Sequence, residues 1–105
     1  MMTVTSKALA RTAAATSSTT LYTVPSTTAV AVVTNIVIAN AATTTATATV
    51  AIDGVVLVPA VSVSANTFAG FDIKQVIPAN ATPKTITGFA STTSVTFHIS
   101  GVEIN

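Results

Sequence analysis

The sequence predicts an all-β fold, an antiparallel β-sandwich or jelly-roll-like barrel of 7–8 short strands with an extended N-terminal arm. Three observations carry this. Apolar and hydroxylated residues alternate with period two through most of the chain, as in "TTTATATVAIDG" (Thr43–Gly54). Turn-forming residues recur at short intervals between those runs. No stretch keeps an apolar period of 3.6 long enough to build a helix.

Residues 1–18 hold no alternation strong enough to mark a strand and read as an arm, leaving 19–105 as the sandwich domain. "TTLYTV" (Thr19–Val24) is the first strand and ends at Pro25. "TAVAVVTNIVIAN" (Thr28–Asn40) follows, with Val30, Val32, Ile36 and Ile38 expected on one face. Thr43–Ile52 places Ala46, Ala48, Val50 and Ile52 inward and Thr45, Thr47 and Thr49 outward, and Asp53-Gly54 supplies a hairpin turn. Val55–Val58 is expected to stop at Pro59, with Val61 and Val63 opening a new strand. Phe68–Ile77 and Lys84–Ala90 flank a loop with two prolines. In "SVTFHISGVEI", Val95, Phe97 and Ile99 point inward, and Gly101 marks a bulge that shifts the inward positions to Val102 and Ile104.

Half of the 105 residues are hydrophobic and 7% are charged, against about 25% charged in a typical soluble domain. That balance opposes disorder, which needs low hydrophobicity and high net charge. Four scattered basic residues (Lys7, Arg11, Lys74, Lys84) form no phosphate-neutralising patch, so nucleic acid is not an expected partner. Polar residues interrupt every apolar run before about 20 residues, so no membrane partner is expected. The absence of cysteine removes disulfides and thiolate metal ligands.

The groups available for catalysis are Asp53, Asp72, Glu103 and His98. Asp53 belongs to a turn, Asp72 and Lys74 read as a solvated pair, and His98 points away from the core. No second histidine completes a metal site and no nucleophile elbow is present. The expectation is a protein that is not an enzyme, with no cofactor and no metal. "Asn80-Ala81-Thr82" before Pro83 reads as a turn. Thr45-x-Thr47-x-Thr49 invites an ice-binding reading, but a water-ordering array needs a fixed repeat period that the chain lacks. Sugar recognition would need an open aromatic ring. Phe71, Phe89 and Phe97 read as core, leaving Tyr22 and Phe68 as platforms.

The segments "LYTVPSTTAVAVVTNIVIAN", "ATATVAIDGVVLVPAVSV" and "DIKQVIPANATPKTITGFASTTSVTFHISGVEI" together resemble small all-β virion proteins of tailed bacteriophages. The shared features are a Leu-Tyr-x-Val-Pro entry, a central Asp-Gly hairpin, a Pro-Ala loop and a strand near "HISGVE", covering Thr20 to Asn105. Ser26 and Asn80 stand where family members commonly carry glycine. The resemblance implies a structural protein of the virion, a capsid decoration or cement protein binding the major capsid protein or another virion protein. The alternative is a receptor- or glycan-binding module of a tail or fibre.

On that reading the chain is a homo-oligomer, a trimer being favoured, on the outer capsid. Its arm, Thr3 to Ala15 with Thr3, Val4, Leu9 and Arg11, is expected to add extended backbone to a partner by strand addition. Thr43–Ile52, with Thr45, Thr47 and Thr49, is expected to be an edge strand covered by a neighbour.

Overall fold

The computed structural model describes residues 3–105, which form nine strands in two antiparallel sheets packed as a sandwich, with no closed barrel. The strands are β1 (Val4–Ala13), β2 (Thr19–Thr23), β3 (Val30–Asn40), β4 (Ala46–Ile52), β5 (Val55–Val63), β6 (Thr67–Phe71), β7 (Gln75–Ile77), β8 (Thr85–Ala90) and β9 (Val95–Ile104). One sheet has the order β1-β9-β3-β6, with β7 also on β3, and the other β2-β8-β4-β5. Inward side chains of both sheets, including Phe97, Ile36, Ile38, Ile86, Ile99 and Val50, fill the space between them.

Several elements follow the sequence reading. Ala46, Ala48 and Val50 are buried on β4 and Thr47 is exposed. Asp53 (φ 55°) and Gly54 (φ 74°) both adopt the left-handed conformation that a tight two-residue hairpin turn requires. Lys84 Nζ reaches Asp53 Oδ1 at 3.0 Å and holds that turn against the start of β8.

Residues 4–13, expected to lie in an arm without strand pattern, form β1 instead. It pairs antiparallel with β9 from Val4↔Ile104 to Ala13↔Thr96. Its outward residues are mostly small or hydroxylated, so the burial contrast that signals a strand is weak; only Leu9 and Ala10 are buried. Residues 1 and 2 lie outside the described residues.

Gly101 does not shift the phase of β9. Val95, Phe97, Ile99, Gly101 and Glu103 keep one inward parity, and the extra residues lie on the neighbouring strands. The register slips at Leu9 on β1 and at Thr34 on β3. An ideal Cβ on Gly101 would lie 2.2 Å from the Val32 carbonyl oxygen and 2.8 Å from Leu9 Cδ1. Only glycine lets the two strands close over this point, and the Leu9 side chain occupies the space. The other sheet repeats the device: β2 slips at Leu21, and a Cβ on Gly88 would lie 2.9 Å from Leu21 Cδ1. Leu9 follows by two the residue paired with Gly101 (Lys7), and Leu21 follows by two the residue paired with Gly88 (Thr19).

The slip at Thr34 also corrects β3. Ala31 and Val33 are buried in its first half and Ile36, Ile38 and Asn40 in its second, so Val30 and Val32 face outward. β5 runs through Pro59 as one strand because it is an edge, where no partner needs the missing N–H. The extra residue there leaves Ala60 at φ 39°, and its N–H donates to Thr49 Oγ1 at 3.1 Å. Phe68–Ile77 divides into β6 and β7 around residues 72–74. Asp72 accepts a 3.5 Å hydrogen bond from Asn35 Nδ2, and no ion pair forms between Asp72 and Lys74.

Asn40 is the one buried polar residue among the described residues. Its Nδ2 donates to the carbonyls of Thr44 (2.9 Å), Val63 (3.0 Å) and Ser64 (3.3 Å), and its Oδ1 accepts from Ala42 N–H (2.9 Å). That network pins the β3–β4 loop to the end of β5.

Candidate assembly surface

Among the described residues, no group of three His, Cys, Asp or Glu side chains comes together to hold a metal ion. The ionisable residues instead sit in separate structural roles. The most enclosed is a bridge between the sheets, in which Tyr22 of β2 donates its hydroxyl to Glu103 Oε2 of β9 at 2.5 Å, while Lys7 Nζ of β1 lies 3.4 Å from Oε1. Tyr22 is buried, so the ring expected as an open platform is core. Burial, then the hydrogen bond and the charge of Glu103, raise the Tyr22 phenol above its ordinary value near 10.

A phenol held protonated in the folded state leaves stability unchanged below about pH 10, where both states are protonated. Above that pH only the unfolded state ionises readily, so stability falls as pH rises. Denaturant unfolding from pH 8 to 12 should show this alkaline loss in the native protein. Tyr22→Phe should be less stable at pH 8 by about 2 kcal/mol, the worth of a hydrogen bond to a charged group, and should lack the Tyr22 part of the alkaline loss. Equal alkaline slopes in the two proteins would refute the bridge.

The sequence-expected partner residues do not form one site. Thr3 pairs its backbone with Asn105 (2.6 and 2.9 Å). Val4 and Arg11 are exposed on β1, whereas Leu9 is buried. β4 lies between β8 and β5, so Thr43–Ile52 is interior to its sheet and not an edge. Thr45 and Thr47 are exposed, and Thr49 is half-buried with its hydroxyl engaged by Ala60. Phe68 is 70% exposed. Phe89, expected in the core, faces out at 37% exposure. It borders a depression of about 250 Å³ whose lining includes Thr49, Ala51, Val56 and Thr87 and carries no charge.

What the structure does bring together is the outer face of the β1-β9-β3-β6/β7 sheet. The register places Val4, Ile104 and Val30 in one row across three strands. Ser6, Val102, Val32 and Val76 form the next row across four. Beyond them lie Ala8, Ser100 and Asn35, whose amide bonds the Asp72 carboxylate, then Arg11, His98, Val37 and Gly70, then Ala13, Thr96, Ala39 and Phe68. Val4 (66%), Val76 (64%) and Phe68 stand out most. Arg11 and His98 are the only ionisable side chains in these rows. Strand spacing and rise give the face about 27 Å by 14 Å.

Sequence reasoning missed Val30, Val32, Val102 and Ile104 because it assigned them to the core. The available signal was the unbroken run "VAVV" (Val30–Val33), which has no polar face. A strand apolar on both faces is expected to be covered on both. No protein-family model matches the chain, and no curated protein matches it.

Proposed function

We propose that the protein is a non-enzymatic structural protein of a tailed-phage virion. It decorates the outer capsid, bridges coat subunits and self-associates as a trimer. The observation that carries this reading is the outer face of the β1-β9-β3-β6/β7 sheet. Contiguous exposed apolar residues rimmed by polar ones mark interaction surfaces, and Val4, Ile104, Val30, Val102, Val32 and Val76 form such a cluster at one end of a face that spans about 400 Å² between its outer strand axes. The resemblance to small virion proteins supplies the setting, and the sparse charge supports attachment that depends weakly on salt. A receptor- or glycan-binding module of a tail or fibre is the second reading, favoured by the open Phe68 ring.

The test is co-sedimentation of the purified protein with heads and, separately, with tails of the phage that encodes it. Saturable pelleting with heads, retained at high salt, is the expected result. Pelleting with tails alone would replace the capsid reading by the second one, and pelleting with neither would remove both.

A further inference from the structure

We propose that β1 is exchanged between copies of this chain, so that β1 of one subunit lies on β9 of the next in the register seen within a single chain. This rests on the assembly reading and names the contact that completes it.

The first support is how separable β1 is. It is an edge strand whose only ladder partner is β9. Of its ten residues only Leu9 and Ala10 are buried. What holds it is the β9 ladder, the slot over Gly101 that takes Leu9, the Glu103 carboxylate that meets Lys7, and the core cluster and β2 of the facing sheet that Leu9 and Ala10 pack toward. A second copy presents all of these unchanged.

The second support is the joint. Residues 14–18 carry the chain from one sheet to the other. Ala14 N–H donates to Val95 O (2.8 Å) and Ala15 O accepts from Ala90 N–H (2.9 Å), leaving Thr16, Ser17 and Ser18 exposed as the turn. The exposed Thr16-Ser17-Ser18 turn is the point at which the chain can open without uncovering core, so β1 can leave with its ladder intact.

The third support is area. The outer face spans about 400 Å² between its outer strand axes, a small footprint beside the roughly 800 Å² of accessible surface per partner that a standard stable interface buries. Exchange of β1 supplies the remainder as ladder hydrogen bonds and the Leu9 anchor. It also draws Val4 of one subunit into the same row as Ile104 and Val30 of the next. Passing each β1 to the following subunit closes a ring, of three on the assembly reading, and leaves no β1 unpaired.

The chain has no cysteine, so one engineered disulfide reports the connection without ambiguity. Ala8 and Ser100 are registered partners on β1 and β9, small and exposed. Opposed residues in an antiparallel pair lie about 4.5–5.5 Å apart, within disulfide reach. The Ala8→Cys/Ser100→Cys protein is oxidised, its mass in solution is measured, and it is then run on a denaturing non-reducing gel. Exchange gives covalent trimers that reduction returns to monomers. A trimeric mass with a monomer band on the gel means that the faces pack without exchange, which overturns this proposal and spares the assembly reading. A monomeric mass with a monomer band overturns both. Thiols that stay free under oxidation overturn the β1–β9 register itself, and the exchange with it.

Discussion

Gly101→Ala is expected to destabilise the fold by roughly 3 kcal/mol, the upper end of the range for forcing an added carbon into a packed core. The added Cβ would sit 2.2 Å from a backbone oxygen, that of Val32, and 2.8 Å from Leu9 Cδ1. A side-chain tip can rotate aside, but the Val32 carbonyl belongs to a strand locked between β9 and β7. Relief would have to undo the bulges at Leu9 and Thr34 together. For a chain of 105 residues, with total stability of about 5–15 kcal/mol, that is a large share. The other glycines grade the effect. Gly88→Ala meets Leu21 Cδ1 at 2.9 Å and Thr49 O at 3.1 Å and should cost less. Gly54→Ala meets nothing but carries φ 74°, for about 1–2 kcal/mol of backbone strain. Gly70→Ala, whose nearest neighbour is Val37 Cγ2 at 4.0 Å, should be close to neutral. Urea midpoints of the four variants give the ranking, and a Gly101→Ala protein as stable as Gly70→Ala would show that the two bulges do not close on this point.

Val76→Glu is expected to dissolve the proposed assembly while leaving each subunit folded. Val76 is 64% exposed on the short edge strand β7, so the substitution should change subunit stability by no more than about 0.5 kcal/mol. In the assembly the same carboxylate would be buried among Val32, Val102 and a neighbour's apolar surface, with no cation in its row. An unpaired polar or charged group so placed costs about 3 kcal/mol, roughly a hundredfold in Kd. Thr47→Glu on the opposite sheet is the matched control and should change nothing. Sedimentation across a concentration series reads both, and equal association of the two variants would place the contact elsewhere.

The fold was legible because a sandwich imposes period two on every buried strand and a turn between strands. The Asp53-Gly54 hairpin and the inward rows of β4 and β9 up to Ile99 are direct consequences. The parity errors share one cause. At Leu9, Leu21, Thr34 and Pro59-Ala60 one strand carries an extra residue that its partner does not. A bulge of that kind is a property of two strands, and a parity read along one strand does not contain it. Gly101 announced that something happens between β9 and its neighbours, but not that β9 itself stays regular. The outer-face site was hidden by the same mistake, since assigning Val30, Val32, Val102 and Ile104 inward left no apolar side chains for the outside. β1 was missed for a different reason: at a sheet edge with only Leu9 and Ala10 buried, alternation has little to record. Asn40 has the composition of a turn residue, and only its four partners identify it as a buried pin.

The most direct test is the absolute mass of the full-length protein in solution, by light scattering after size exclusion, at low and at high salt. A discrete trimer that keeps its mass as salt is raised is the expected result, because the proposed subunit contacts are apolar and backbone ones with few ion pairs to screen. A monomer at both salt concentrations, or an oligomer that falls apart as salt rises, would contradict assembly through the valine-rich face.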